Sequence, residues 1–317
     1  LLARHVLRDP SIAWVSAVIF GCNAHLMAQT YNGITETINA GWIPIFVLAL
    51  LRLIERPSIA RGLLLGTVFA IASLANFYYG LFCILLGIVI LISQTVTERG
   101  RIRWAKLMIG LTLGGLLAIA IVLPVLMTLS STMDSPDAMV SRDPDFVWNS
   151  LLRHNYTDII GFFRPGHSYS PDLKAEYGED LIIVTYIGWV TLLLSTSAVL
   201  LTKRRSSLKL WIAISIIFTI FALGPYLHIG SANPVTINGR LLPLPFLPFF
   251  EAFPLFSRIS HPFRFIIPAM LGLSILAAAA VRLVTRGQSE RVRNCIVSAV
   301  CLAVITEVLF ASPAVWP

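Results

Sequence analysis

Charge is what this sequence has least of: Asp, Glu, Lys and Arg make up 13% of its 317 residues, against 56% hydrophobic. An average soluble domain carries about 25% charged residues, so this composition, with a mean hydropathy of +0.80, excludes that class. The Leu/Ile/Ala-rich runs also lack the apolar–polar alternation of a porin strand, which excludes an outer-membrane barrel. Cysteine is sparse. Cys22, Cys83, Cys295 and Cys301 all fall within apolar runs, where cysteine behaves as a small apolar residue, and their spacing fits neither a disulfide framework nor a zinc site. No internal repeat and no low-complexity tract is present.

What the sequence has is length of apolar run. A hydrocarbon layer of about 30 Å needs roughly 20 residues of helix per crossing, and only structures that satisfy their own backbone hydrogen bonds can cross it. The expected fold is therefore all-α: a polytopic transmembrane helical bundle with 1–317 as a single integral membrane domain. Nine crossings are expected, at about 11–29, 40–54, 62–77, 79–97, 107–129, 181–202, 208–228, 264–283 and 294–312, the second being short.

Sorting the basic residues by these crossings tests the reading, because cytoplasmic segments are the basic ones. One side collects 17 of the 24 Lys and Arg, from Arg4 and Arg8 to Arg291 and Arg293, and the other holds 12 of the 16 acidic residues. The net charge of +8 then reports topology, and no nucleic-acid partner is implied. The expected location is the plasma membrane, with basic loops cytoplasmic and long loops outside. The sequence begins at Leu1 on a basic segment that reads as the end of an earlier helix, so a fragment lacking its N-terminal part is expected.

Two long segments, 130–180 and 229–263, are the expected substrate-facing elements. In "SRDPDFVWNSLLRH" Asp143 can cap a helix, Pro144 fits its first turn, and Phe146, Val147, Leu151 and Leu152 form an apolar stripe, the pattern of a short interfacial helix. The other segment carries prolines that forbid a continuous helix before the eighth crossing. Gly62 with Gly66, and Gly110 with Gly114, are small-xxx-small spacings for close helix packing. Glu307 is the main charge within a crossing.

Three stretches carry a family resemblance: "HLMAQTYNGITETINAGWIPIFVLALLRL", "DIIGFFRPGHS" leading to "YGEDLIIVTYIGW", and "ALGPYLHIG" followed by "LPLPFLPFFEAFPLFSRISHPFRF". Together they resemble the GT-C superfamily of polytopic membrane glycosyltransferases. The resemblance implies transfer of a sugar from a polyprenyl-phosphate carrier to an acceptor at the outer membrane face, with inversion. It also implies a catalytic carboxylate in the first outer loop, which is expected upstream of Leu1 and is assigned to no residue here.

On that reading Arg258, Arg264 and His261 are the donor-phosphate residues, because a guanidinium offers paired donors to phosphate and stays charged near lipid. Contacts to ordinary headgroups or to Glu251 would explain the same arginines. Glu36, with His25 and Gln29 behind it, would suit an acceptor hydroxyl or a divalent ion bridging the donor phosphate, although no metal-ligand cluster is legible. Asp158, Arg164 and His167 are sugar or acceptor contacts. The expected partners are a polyprenyl-phosphate-linked sugar and membrane lipid. A lipid-linked oligosaccharide flippase or other transporter, and an inactive scaffold of the same fold, are the rival readings; transport would place its ionisable groups at mid-membrane.

Overall fold

The structure is a computed structural model and describes residues 1–97, 103–133, 144–153, 155–165, 183–202, 208–230, 233–254 and 256–311. In chain order the first helices are α1 (Leu2–Leu7), α2 (Ala13–Gly21), α3 (Ala24–Tyr31), α4 (Trp42–Glu55), α5 (Ile59–Ala75), α6 (Phe77–Thr97) and α7 (Trp104–Met133). They are followed by α8 (Pro144–Arg153), α9 (Trp189–Leu201), α10 (Lys209–Ala222), α11 (Phe246–Ala252), α12 (Ile266–Val284) and α13 (Glu290–Ala311). The one hairpin among the described residues pairs β1 (Thr236–Ile237) with β2 (Arg240–Leu241), and its turn residues Asn238 and Gly239 both have positive φ, as a two-residue hairpin turn requires.

Among the described residues, five helical stretches are long and apolar enough to cross a membrane: Glu36–Glu55, Phe77–Val96, Trp104–Thr132, Pro262–Val284 and Glu290–Phe310. The expectation of nine crossings is corrected accordingly. The run 11–29 breaks into α2 and α3 because the Asn23 side chain accepts a hydrogen bond from the Leu26 N–H and caps a new helix. The run 181–202 becomes non-helical over 183–188 before α9 begins. Helices α5, α9 and α10 are apolar but shorter; at 13 and 14 residues, α9 and α10 reach only about 20 Å at 1.5 Å per residue. The short second run, by contrast, gains a 3₁₀ turn at Thr35–Gly41 and reaches spanning length.

The chain forms two compact units. The first comprises Leu1–His5 and Ile38–Arg142, and its most extensive packing is α5 on α7. A Cβ placed on Gly62 would overlap the Gly110 carbonyl, and one on Gly66 the Gly114 carbonyl, so the two glycine pairs expected to pack closely pack on each other, backbone against backbone. The outward face of α7, including Leu116, Ile119, Leu123 and Met127, is exposed, and an apolar face of that extent is suited to lipid.

The second unit comprises Val6–Thr37 and Asp143–Pro317. Its centre is α12, whose most apolar stretch is 83% buried where that of α13 is 17%. Helices α2, α9 and α10 surround α12, and small residues set the approach. The Ser16 and Ser274 hydroxyls are 3.0 Å apart, the Ser195 hydroxyl donates to the Leu273 carbonyl at 3.0 Å, and Gly272 lies against Ser215 and the Trp211 carbonyl. Each hydroxyl has a partner, which is the condition for burying it.

Candidate functional site

The start of α12 is built by a turn of proline and aromatic residues. Gly224, at φ +80, ends α10 with its α-carbon against Pro262, and Pro262 occupies the first position of the 3₁₀ turn Pro262–Phe265, where its missing N–H costs nothing. Phe265 is fully buried among Phe218, Phe221, Phe246 and Phe256. That apolar box anchors one side of the turn, which leaves Arg264, the polar residue within it, to point elsewhere.

Arg264 faces Glu36. Its Nη1 lies 4.0 Å from Glu36 Oε1, with the arginine side chain 15% exposed and the glutamate 39%. At that separation the pair is electrostatic and not a hydrogen bond. The guanidinium also bears on His25, which is fully buried on α3. His25 Nδ1 is 2.9 Å from the Val184 carbonyl; a carbonyl only accepts, so Nδ1 donates and the neutral ring turns a bare Nε2 acceptor inward. That Nε2 has no partner among the described residues. Helix α3 is not one of the five spanning stretches. Burial pushes the His25 pKa down to about 4, the Arg264 charge pushes it further the same way, and the Val184 bond works against both.

One turn along α3, Gln29 is 2% exposed, and its Oε1 also lacks a partner among the described residues, as does the buried Thr185 Oγ1 beside Val184. Unpaired buried acceptors cost free energy and are rare in native structures. The structure therefore brings Arg264, expected among the phosphate residues, together with Glu36, His25 and Gln29, expected at an acceptor or metal.

The remaining expected residues are placed differently. Arg258 is exposed on the turn that follows α11. His261 is half-buried, its Nδ1 2.7 Å from the Ser260 hydroxyl and its ring edge-on to Phe263, a residue that also meets His25 edge-on. Asp158 accepts from the Ile160 N–H at 2.8 Å and caps the 3₁₀ turn Ile159–Phe162, which is sufficient structural reason for a carboxylate there. Arg164 is exposed. His167 lies outside the described residues. Among the described residues no group of three or more His, Cys, Asp or Glu side chains is arranged to hold a metal ion.

The two long segments meet. The Ile159 N–H donates to the His228 carbonyl at 3.1 Å, Tyr156 stacks on the His228 ring at 4.3 Å, and Trp148 of α8 packs on Tyr226 and Phe250. Nothing local in "GPYLHIG" marks His228 for this. Glu307, the one charge noted inside a crossing, accepts from the Tyr186 hydroxyl at 2.6 Å and from the Trp189 and Val190 N–H groups at 2.6 and 3.1 Å. It caps α9 from a neighbouring helix, where a carboxylate meets the free N–H groups and the positive dipole end. No protein-family model, curated protein or solved structure matches this chain.

Proposed function

We propose that this chain is a membrane glycosyltransferase of the GT-C type, moving a sugar from a polyprenyl-phosphate carrier to an acceptor at the outer face of the plasma membrane. The observation that supports it is the loose ion pair of Arg264 with Glu36 beside a neutral, fully buried His25. A guanidinium at the start of a helix of spanning length would meet a phosphate at headgroup depth. Because Glu36 stands 4.0 Å away, phosphate oxygens could replace its carboxylate at close range with paired donors. His25 Nε2 and Gln29 Oε1 would accept from hydroxyl groups of the sugar or acceptor.

In the transfer step the sugar–phosphate bond breaks and negative charge grows on the departing carrier, and Arg264 would stabilise that charge, with Arg258 contacting the carrier from the exposed turn. The base that deprotonates the acceptor hydroxyl is assigned to no residue of this chain. Transport is the less supported reading, since Glu307, the main charge within a crossing, has its carboxylate taken up by three donors.

The test is sugar transfer from a radiolabelled polyprenyl-phosphate sugar in membranes containing the wild type, Arg264→Ala or Arg258→Ala. Arg264→Ala should lower transfer by roughly 10²-fold or more with thermal stability little changed, and Arg258→Ala by less. Equal turnover in all three would remove both arginines from the mechanism.

A further inference from the structure

The end of α12 remote from Arg264 carries a second basic constellation. A cleft of about 480 Å³ is lined by Asp9, Arg282, Thr285, Arg286, Gln288 and Arg293. Arg282 is in the last turn of α12 and Arg286 in the turn that follows, while Arg293 comes from the first turn of α13. Arg293 Nη1 is 3.7 Å from Asp9 Oδ2, and its Nε is buried with no partner among the described residues. Asp9 is already occupied, its other oxygen accepting from the Ser11 and Ile12 N–H groups. Three arginines therefore line a cleft whose one lining carboxylate is already committed. Cations are favoured at a helix C-terminus, which accounts for Arg282 and Arg286 singly but not for their convergence with an arginine from the next helix.

A second observation adjoins the first. Beginning at Pro10 and Asn294, the chain neighbours of Asp9 and Arg293, a groove of about 450 Å³ between α2 and α13 is lined by Trp14, Val18, Val297, Ser298 and Cys301. From Asn294 to Cys301 it follows α13 for about 10 Å. Pro262–Val284 is 23 residues long and 83% buried over its most apolar stretch, so its end lies about where the hydrocarbon layer gives way to headgroups. We infer that this end of α12 binds an anionic phospholipid, its phosphate held by Arg282, Arg286 and Arg293 and one acyl chain lying in the groove between α2 and α13. The charge of the cleft matches a phosphate, and the apolar groove beside it distinguishes a lipid from a soluble phosphate ester. About 27 Å of helix separates this site from Arg264, so it is independent of the proposed transfer site.

The test is thermal unfolding of the detergent-purified protein titrated with dioleoylphosphatidylglycerol, dioleoylphosphatidylcholine or inorganic phosphate. Phosphatidylglycerol should raise Tm by mass action and phosphatidylcholine should not. Arg282→Ala/Arg286→Ala should raise the half-saturating phosphatidylglycerol concentration roughly tenfold, and Ser298→Trp, which fills the groove, should weaken the same response. If the double variant fails to fold, Arg286→Gln at its exposed turn position carries the same comparison. A phosphatidylglycerol response unaltered by the arginine changes, or absent altogether, overturns the inference. So does an equal response to inorganic phosphate that Ser298→Trp leaves untouched, which would identify a soluble anion as the ligand.

Discussion

The contact of α5 with α7 and the region around the start of α12 are both tightly packed, but with opposite chemistry. Between α5 and α7 the packing depends on the absence of side chains: Gly62, Gly66, Gly110 and Gly114 bring backbone onto backbone. Around the start of α12 the packing encloses Arg264, His25 and Gln29, and bonding capacity on His25 and Gln29 is left over. A contact with nothing left to bond holds the fold, whereas unused buried acceptors cost stability that a bound hydroxyl group, of ligand or of water, would return.

The largest effect should come from breaking the first contact. Gly66→Val would drive a branched side chain into the Gly114 carbonyl, where no side chain can move aside. We expect a loss of about 3 kcal/mol or more, the upper end for overpacking, read as collapse of the thermal transition in detergent. Gly115 is the internal control: a Cβ there meets nothing within 4 Å, so Gly115→Ala should be neutral or stabilising by up to about 1 kcal/mol. If the two substitutions behave alike, the backbone contact does not set the stability of the first unit.

The second contact should respond to pH where the first does not. His25 drops from 6.5 to about 4 on folding, so the folded protein binds fewer protons at this site than the unfolded chain. Stability from a neutral His25 is therefore complete above pH 6.5 and is lost as pH falls from 6.5 through 4, by on the order of 3 kcal/mol. His25→Gln, which can still donate to the Val184 carbonyl, should flatten that part of the pH–stability curve. An unchanged curve would assign the acid lability to other groups.

A smaller effect is expected at Glu307. Removing its carboxylate leaves the Trp189 and Val190 N–H groups and the Tyr186 hydroxyl without their acceptor, so Glu307→Ala should cost about 2 kcal/mol. Glu307→Gln keeps one oxygen and should recover part of the loss. A costless alanine would mean that the start of α9 is satisfied by water.

These cases also separate what could be read in the sequence from what could not. The glycine spacing on α5 and α7 is a local periodicity, and so is the stripe of α8, although Val147 and Leu151 are buried within the protein where an interfacial helix would turn them to lipid. Run length overstates the number of crossings because an apolar run need not be one helix: Asn23 caps a new helix within 11–29, and 183–188 is not helical. The four residues that meet at the start of α12 stand out in the sequence one by one, but their grouping does not. Arg264 and Glu36 are far apart in the chain, and their meeting depends on how the turn at Pro262–Phe265 is anchored by phenylalanines from α10 and α11. Asp158 caps a 3₁₀ turn, and a capping carboxylate and a binding one have the same sequence signature.

The smallest expected change in stability is the one that bears most directly on function. Gln29 is almost fully buried with an unsatisfied Oε1, so Gln29→Leu removes a desolvated acceptor and replaces it with apolar volume. Substituting an unpaired buried polar group in this way is near neutral or stabilising, within about 1 kcal/mol. A residue with no role in binding would thus improve or stay level in stability on this change and leave activity untouched. Under the proposed function the same variant should lose sugar transfer while its Tm holds or rises, the mark of a side chain retained against its own stability cost. A clear fall in Tm with full transfer would instead mean that the Gln29 amide N–H groups hold the structure, and would confine the candidate site to Arg264, Glu36 and His25.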